Sequence, residues 1–336
     1  MNTITENTKL EIVIKTHDLC KEYKVKERTA FWKDLFKPTY KTIRAVKNIS
    51  FSIQKGESVA FIGPNGAGKT TTTKMLSGLM CPTSGTVNVL GYTPFERNRE
   101  MLMRIGLVMG NKTGLNWDLT PLQSYQLFKK IYRIDEAEYE ERLTFLTKLL
   151  NVEQYLNTQV RRLSLGERMK AELIGAILHN PDVLFLDEPT LGLDLISRQR
   201  IREFLRQIQH EFDVTLLLTS HDMVDVEKVC DRVIIITEGS IIYDDMLKTL
   251  MDSYTHQRHL TFVYKQKPPR ESVEQGNIGE IVDEDENSWS FSVQAEKTSD
   301  LIAYQMKKFK ILDVNIISPP LDEIISGIFA GERNEE

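Results

Sequence analysis

Short apolar runs separated by polar turns dominate the chain up to about residue 245 and predict an α/β fold. Apolar and polar residues alternate at 49–53 (ISFSI), as in a half-buried strand, and EIVIK begins a similar run at residue 11. By contrast, VLFLD at 183–187 and VTLLLTSH from residue 214 are nearly continuously apolar, which is typical of parallel strands buried on both faces. Between these two runs, residues 201–212 repeat apolar positions at helical spacing.

Two further regions differ from this pattern. Residues 121–157 have helical periodicity and predict a helical subdomain spanning about 115–180. After about residue 250 the chain predicts a small α+β accessory domain, with strands at 259–265, 288–294 and 311–317 and helices at 299–310 and 321–329. A joint rich in Pro, Gly, Glu and Asn at 267–287 is predicted to connect separate hairpins. The predicted domains are therefore 1–248 and 249–336.

Composition narrows the function classes. The net charge of -5 and the pI near 5.8 give no indication of a nucleic-acid binder. The three cysteines have no spacing that suits zinc or a disulfide framework, which is typical of a reducing cytosol. We find no signal-peptide pattern at the N-terminus and no apolar run near the ~20 residues of a membrane-spanning helix. Any membrane pore is therefore expected from another chain.

The strongest chemical signal is GPNGAGKT at 63–70, which follows a predicted strand and opens a predicted helix. Glycines at 63, 66 and 68 allow the backbone to curl so that successive N–H groups point at phosphate oxygens. Lys69 supplies a charge to the β- and γ-phosphates, and Thr70 offers its hydroxyl to Mg²⁺. The segment predicts a nucleotide phosphate site.

A second signal is the acidic pair that ends the strand VLFLD. Ligands of open α/β sheets bind at the carboxyl ends of the strands, so Asp187 and Glu188 are predicted to face the phosphates. Asp187 suits the Mg²⁺ shell, while Glu188 is placed to accept a proton from the attacking water. An acidic turn after a core strand is common by itself, and the phosphate loop makes the catalytic interpretation the stronger one.

A third signal precedes that strand. Ser164 and Glu167 form the pattern of a capping box, so Ser164 to Gly166 are predicted at a helix N-terminus, which favours anions. Alone, this pattern indicates only a well-capped helix. Its position shortly before the acidic strand supports a functional role.

Together these motifs resemble the ATP-binding cassette (ABC) ATPases. LSLGE at 163–167 is similar to the LSGGQ signature, and GPNGAGKT, VLFLDEP, the LGLD turn at 191–194 and TSHD with His221 follow the family order. The resemblance covers roughly residues 10–245. Phrases such as GLVMGNKTGLNWDLTP are similar to single-cassette subunits that energise bacterial multidrug or polysaccharide-type exporters.

The resemblance implies a P-loop fold with a RecA-like core, an antiparallel β-subdomain and a helical subdomain, and a site shared by two chains. Two copies would pack head to tail around two ATP molecules with Mg²⁺, as a homodimer at the cytoplasmic face of the membrane that drives a separate permease. Ser164 and Gly166 of one copy would touch the γ-phosphate held by Lys69 of the other. Glu188 and His221 would be catalytic. The remaining expected nucleotide contacts are Tyr23 (stacking on adenine), Asn65, Gly66, Ala67, Gly68, Thr70, Thr71 and Asp194 (crossing the dimer seam).

Some alternatives stay open. The family usually has Gln where Asn111 aligns, so Asn111 either contacts Mg²⁺ through water or only couples the loop to the permease. The basic, aromatic-bearing segment 24–44 contacts an anionic membrane or a permease, or is a solvated insertion. Rival functions are a soluble ABC ATPase acting on ribosomes or DNA, and a regulatory ATPase whose C-terminal domain binds a signal.

Overall fold

The structure, a computed structural model, describes residues 11–26, 40–110, 112–253, 257–274 and 278–331. The chain divides into two compact units, Met1–Asp245 and Met246–Glu336. This division falls after Asp245, and the predicted domain boundary at residue 248 remains a prediction. Within the described ranges, no helix has both the length and the apolar character needed to cross a bilayer.

The first unit contains two sheets. Its strands are β1 (Ile12–Lys26), β2 (Tyr40–Ile49), β3 (Ser52–Gln54), β4 (Ser58–Ile62), β5 (Ser84–Val89), β6 (Ile105–Met109), β7 (Val183–Asp187), β8 (Thr215–Thr219), β9 (Arg232–Thr237) and β10 (Ser240–Met246). The larger sheet has the order β10-β9-β4-β8-β7-β6, with parallel pairing from β9 to β6. The smaller sheet is antiparallel, with β1 between β2 and β3 and also paired with β5.

Helices surround and extend the larger sheet. They are α1 (Lys69–Leu76), α2 (Arg99–Leu102), α3 (Pro121–Tyr132), α4 (Glu136–Leu150), α5 (Leu165–Ile177), α6 (Leu195–Phe212) and α7 (Met223–Val229), with short 3-10 helices at Pro94–Glu96, Glu153–Tyr155 and Val160–Arg162.

The centre of the larger sheet forms the predicted buried parallel core. All five residues of β4, of β7 and of β8 are buried, which explains why these sequences are continuously apolar. Phe61 and Phe185 are among the largest fully buried side chains. Because parallel strands have their carboxyl ends on one edge, the loops after β4, β7 and β8 meet there.

The strands at the start of the chain are longer than predicted. β1 extends over 15 residues, and β2 begins at Tyr40, which pairs with Lys26. The strand predicted at 49–53 is interrupted after Ile49 and resumes as β3. The two ends of the basic segment 24–44, residues 24–26 and 40–44, are therefore paired strands, and its residues 27–39 lie outside the described residues. The ladder is made by pairing distant residues, which local periodicity does not report.

The helical subdomain is bounded by strong local signals. Thr120 forms a capping box with Gln123, and Pro121 occupies the first turn of α3. Asp135 caps α4 and Ser164 caps α5. Tyr125 of α3 is fully buried and donates its hydroxyl to the carbonyl of Ala171 at 2.9 Å. This contact joins α3 to α5.

The second unit is built on an antiparallel sheet. Its elements are α8 (Leu247–Ser253), β11 (Gln257–Tyr264), α9 (Arg270–Glu274), β12 (Glu280–Asp285), β13 (Ser288–Gln294), α10 (Thr298–Lys308), β14 (Ile311–Ile317) and α11 (Leu321–Ala330), with the sheet order β12-β13-β11-β14. Phe262, Trp289 and Phe291 lie in its core.

The interpretation of 267–287 as a joint is wrong in part. This region contains the helix α9 and the edge strand β12, which pairs with β13. β12 is acidic and mostly exposed, so it lacks the alternating apolar pattern by which a strand is recognised.

Candidate functional site

The loop from Gly63 to Gly68 joins β4 to α1 at the carboxyl edge of the larger sheet. Gly68 has φ of 111°, and a Cβ there would lie 2.5 Å from the carbonyl oxygen of Ala45. Gly66 has φ of 83° with no neighbour within 4 Å of a Cβ, so only the backbone conformation favours glycine there. The curled loop ends at the N-terminus of α1, a combination that binds anions.

Lys69 lies inside this loop. Its Nζ donates to the carbonyl of Gly63 at 2.5 Å and to that of Pro64 at 3.2 Å. Burial lowers the pKa of Lys69, and the nearby charges of Glu188 and Asp187 oppose that shift. The ammonium is thus held in place by the loop's own carbonyl groups.

Asp187 ends β7 beside the phosphate loop. Its Oδ1 accepts from the hydroxyl of Thr70 at 3.0 Å and from that of Thr219 at 2.7 Å. Its backbone carbonyl accepts from the N–H of Gly110 at 2.7 Å. The carboxylate therefore connects the first turn of α1 to the ends of β7 and β8, and the backbone carbonyl connects β7 to the residue after β6.

Glu188 follows in the left-handed backbone region with φ of 54°, which is uncommon for a residue other than glycine. Its N–H lies 3.0 Å from the Thr219 carbonyl and 3.2 Å from the Thr219 hydroxyl. Its Oε2 is 2.6 Å from Nδ1 of His221. Since the His221 side chain is 55% exposed, the pair lies at the surface of the site rather than in the core.

These residues border one cavity of about 420 Å³. The lining residues are Ala45, Asn65, Gly66, Gly68, Lys69, Thr70, Thr71, Glu188, Leu191 and His221. The structure thus brings together the predicted phosphate-loop and catalytic residues. Ala45 and Leu191 were not predicted, because neither carries a chemical signal in the sequence.

Three predicted contacts are situated differently. Ala67 is buried, and its carbonyl accepts from the N–H of Gly239 at 3.0 Å. Tyr23 is not among the lining residues; its hydroxyl lies 3.0 Å from the sulfur of Met80. Asn111 lies outside the described residues.

The donor chemistry fits Mg²⁺. Thr70 Oγ1 and Asp187 Oδ1 are hard oxygen donors at the edge of the cavity. Mg²⁺ is commonly bound through one or two such protein oxygens, with water and substrate phosphates completing its shell. Accordingly, the described residues contain no cluster of three His, Cys, Asp or Glu side chains that would enclose a metal by themselves.

Ser164 caps α5 as predicted. The Glu167 N–H donates to the Ser164 hydroxyl at 3.3 Å, and Glu167 accepts from the Ser164 N–H at 2.9 Å. Ser164 and Leu165 are exposed, whereas Gly166 is buried. None of these three residues lines the phosphate cavity.

Asp194 caps α6 next to Gly166. It accepts from the Ser197 N–H at 2.9 Å and from the Ser197 hydroxyl at 2.7 Å, and these bonds, the side-chain bond first, lower the pKa of Asp194. A Cβ on Gly166 would lie 2.7 Å from the Ser197 oxygen. Leu195 and Ile196 are about 70% exposed directly after Asp194 (73% and 68%). Ser164, Asp194, Leu195 and Ile196 are thus exposed outside the cavity, with the buried Gly166 packed against Ser197.

Comparison with known proteins decides the family. Residues 46–191 match the model of the ABC transporter family. The ABC transporter ATP-binding protein NatA of Bacillus subtilis (strain 168) is 36% identical over 232 residues, 69% of this chain and 94% of NatA. The chain belongs to the ABC transporter ATP-binding proteins. Another member, the Nod factor export ATP-binding protein I of Cupriavidus metallidurans, is 35% identical over 62% of this chain and 68% of its own length.

Solved structures of ABC cassettes agree with this assignment. An ATP-binding subunit of an ABC transporter superposes with a TM-score of 0.60 at 26% identity, covering 72% of this chain and 93% of that chain. A dimeric ATP-binding cassette in a post-hydrolysis state, bound to ADP and Pi, gives 0.60 at 25% identity, covering 70% and 98%.

The predicted fold class is therefore confirmed: this ABC protein has a P-loop α/β cassette. It is an ATP-binding subunit of an ABC transporter and an ATPase. Lys69 of the cavity and Ser164 of the α5 cap both lie within residues 46–191, which match the family model.

Proposed function

We propose that this chain powers an ABC exporter by closing head to tail with a second copy around two Mg-ATP molecules. One observation carries the proposal. Lys69 and Glu188 line the phosphate cavity, while Ser164 and Asp194 lie outside it on the same unit. A second chain in the opposite orientation would supply the missing contacts.

In this proposal the phosphate loop binds ATP through its backbone N–H groups and Lys69. Thr70 and Asp187 would hold Mg²⁺, which when bound neutralises developing charge on the phosphates. Asn65, Gly66, Gly68 and Thr71 would contact the phosphates from the same loop, and buried Ala67 shapes it. Tyr23 would stack on adenine, and Asn111 would approach the Mg²⁺ shell directly or through water.

Hydrolysis would depend on Glu188 and His221. Glu188 would accept a proton from the attacking water as general base. His221, 2.6 Å from Glu188, would orient that carboxylate and contact the γ-phosphate. Glu188 has a left-handed backbone and its side chain lines the cavity, where it would reach an attacking water.

Ser164 and Gly166 of the partner subunit would complete each site. The N-terminus of α5 offers donors for a γ-phosphate, and the exposed Ser164 hydroxyl, which donates to Glu167 at 2.9 Å in the single chain, would exchange that acceptor for the phosphate. Asp194 would cross the seam, with the exposed apolar residues Leu195 and Ile196 buried by the partner. Closure on ATP and opening after hydrolysis would then move a separate permease at the cytoplasmic face of the membrane.

Export is proposed from the names of relatives. Besides the Nod factor export protein, a linearmycin resistance ATP-binding protein of Bacillus subtilis is 35% identical over 61% of this chain and 66% of its own length. The first name states export of a compound, and the second states resistance to a compound. The lack of a spanning helix among the described residues is compatible with a permease on another chain.

The test is a pull-down of tagged Glu188→Gln protein from membranes of its own organism, in mild detergent with Mg-ATP. We expect a polytopic membrane protein to co-purify, and Lys69→Ala, which is deficient in ATP binding, to recover less of it. Recovery of ribosomal proteins or nucleic acid instead would overturn the transporter assignment.

A further inference from the structure

The two loops that carry Glu188 and His221 are joined beneath the site by one buried carboxylate. Asp225 of α7 is 1% exposed, and none of the roles proposed above includes it. A carboxylate buried this deeply is stable only when its oxygens are well partnered. The hydrogen-bond partners of Asp225 therefore show which parts of the chain its carboxylate holds together.

Both oxygens of Asp225 are partnered. Oδ2 accepts from the hydroxyl of Thr190 and, at 2.9 Å, from the hydroxyl of Ser220. Oδ1 accepts from Nε of Arg202 at 2.5 Å. Thr190 is 5% exposed and Ser220 is fully buried, so water competes little for these bonds.

The two hydroxyl groups that donate to Asp225 belong to residues next to the proposed catalytic side chains. Thr190 is two residues after Glu188, in the loop that follows β7. Ser220 directly precedes His221, in the loop that follows β8. One oxygen atom of Asp225 thus bridges the two loops whose side chains meet at 2.6 Å in the cavity.

Arg202 extends the network into the helix that follows Asp194. Its Nη2 donates to Asp222 at 2.9 Å, and Arg198 donates to the same oxygen at 3.0 Å. Asp222 also caps α7 by accepting from the N–H of Val224. The negative charges of Asp225 and Asp222 are therefore balanced by the guanidinium groups of Arg202 and Arg198.

We infer that Asp225 is a positioning residue for hydrolysis: through Thr190 and Ser220 it sets the separation of Glu188 and His221. The inference rests on the proposed roles of those two residues. In the Glu188–His221 pair the His221 side chain is 55% exposed, and an ion pair with a solvent-exposed partner contributes little to its own geometry. The buried network below it supplies the rigidity.

A matched pair of variants at Thr190 tests this. Thr190→Val removes the hydroxyl with little change in volume, and Thr190→Ser keeps the hydroxyl. We expect Thr190→Val to lower kcat by ~10-fold or more, because misplacement of a catalytic group by about 1 Å costs up to ~100-fold. ATP affinity of the single chain should stay within about twofold, and Thr190→Ser should restore most of kcat.

Asp225→Asn should lower kcat further with the same sparing of ATP affinity, and the exposed Glu227→Gln of the same helix is the control. Folded fraction is followed by thermal unfolding. Added to Glu188→Gln, Asp225→Asn should cause little further loss, because the group that it positions has already been removed.

The outcomes distinguish the general-base role of Glu188 from the positioning role of Asp225. If Glu188→Gln retained turnover, the proposed general base would be wrong. If Glu188→Gln abolished turnover while Thr190→Val and Asp225→Asn kept wild-type kcat, only the positioning role would be wrong. A loss of kcat that matches the loss of folded protein, or that multiplies fully with Glu188→Gln, would also overturn it.

Discussion

The two surfaces of the cassette that carry its motifs differ in how complete they are. Around the phosphate loop, Lys69, Asp187 and Glu188 already have hydrogen-bond partners within the chain, and Lys69 and Glu188 line one cavity. Around the signature helix, Ser164 and Asp194 are exposed and bond only to their own helix caps. Apolar Leu195 stands 73% exposed beside them.

This difference indicates which half of the site is already assembled within a single chain. In the phosphate-loop half, the donors and the charge that the proposal assigns to nucleotide binding are already positioned within one chain. The signature half offers a helix N-terminus and exposed apolar side chains, and Ser164, Gly166 and Asp194 do not line the phosphate cavity. We therefore expect variants of the first half to alter nucleotide binding or chemistry within one chain, and variants of the second half to act only in the assembled dimer.

The largest effect is expected from Glu188→Gln. Removal of the general base should lower hydrolysis by roughly 10²- to 10⁴-fold, since general acid–base catalysis contributes about that much. ATP affinity should be retained because Lys69 and the loop are unchanged. Phosphate release and calorimetric binding measure the two quantities, with the exposed Glu211→Gln as control. Parallel loss of binding would place Glu188 in nucleotide retention.

Lys69→Ala should weaken ATP binding by the single chain about 10- to 100-fold, because a hydrogen bond to a charged group contributes about 1.5–3 kcal/mol. Titration calorimetry with the monomer measures this directly. Unchanged affinity would mean that the backbone N–H groups bind the phosphates without the ammonium. It would contradict the expectation that Lys69 binds the nucleotide within one chain.

Ser164→Asp separates the cap from the proposed nucleotide contact. Aspartate is as good an N-cap as serine, so thermal stability should be preserved. A carboxylate facing the partner's γ-phosphate should nevertheless lower turnover at least ~10-fold, while ATP binding by the single chain is unaffected. Ser164→Asn, an uncharged cap, is the matched control. If Ser164→Asp reduced single-chain binding, the two halves would not be independent.

The smallest effect concerns the stability of the signature half against pH. Bonds from Ser197 lower the pKa of Asp194 below its ordinary value of 3.8, so the ionised carboxylate stabilises the folded state above that pH. The stabilisation is lost as the pH falls through the folded-state pKa. The melting temperature of Asp194→Asn should therefore lie slightly below wild type near about pH 7 and approach it near about pH 3. A constant difference would contradict this assignment.

Local signals in the sequence were enough for much of the fold. The phosphate loop, the capping box at Ser164 and the buried β7 each depend on residues close together in the chain, and all three are found as predicted. The length of β1 and the acidic β12 were not predicted. The length of β1 is set by pairing with strands farther along the chain, and β12 is an exposed acidic strand held by its hairpin with β13, so neither shows local alternation.

The site was predictable in part for the same reason. The end of β7 predicted that Glu188 faces the loop of Lys69, because ligands bind at the carboxyl ends of parallel strands. His221 was expected there only from the family resemblance. The role of Asp225 could not be predicted, since its partners come from two separate loops and a helix. An acidic residue in α7 is ordinary in sequence, and only tertiary contacts distinguish it.

Complementation between two inactive variants tests the shared site most directly. Glu188→Gln and Ser164→Asp are purified separately, mixed, and assayed for ATP hydrolysis. In a head-to-tail heterodimer one site combines the intact Glu188 of one chain with the intact Ser164 of the other, so the mixture should hydrolyse ATP well above the mean of the separate variants. Activity equal to that mean at all protein concentrations would contradict a site formed by two chains.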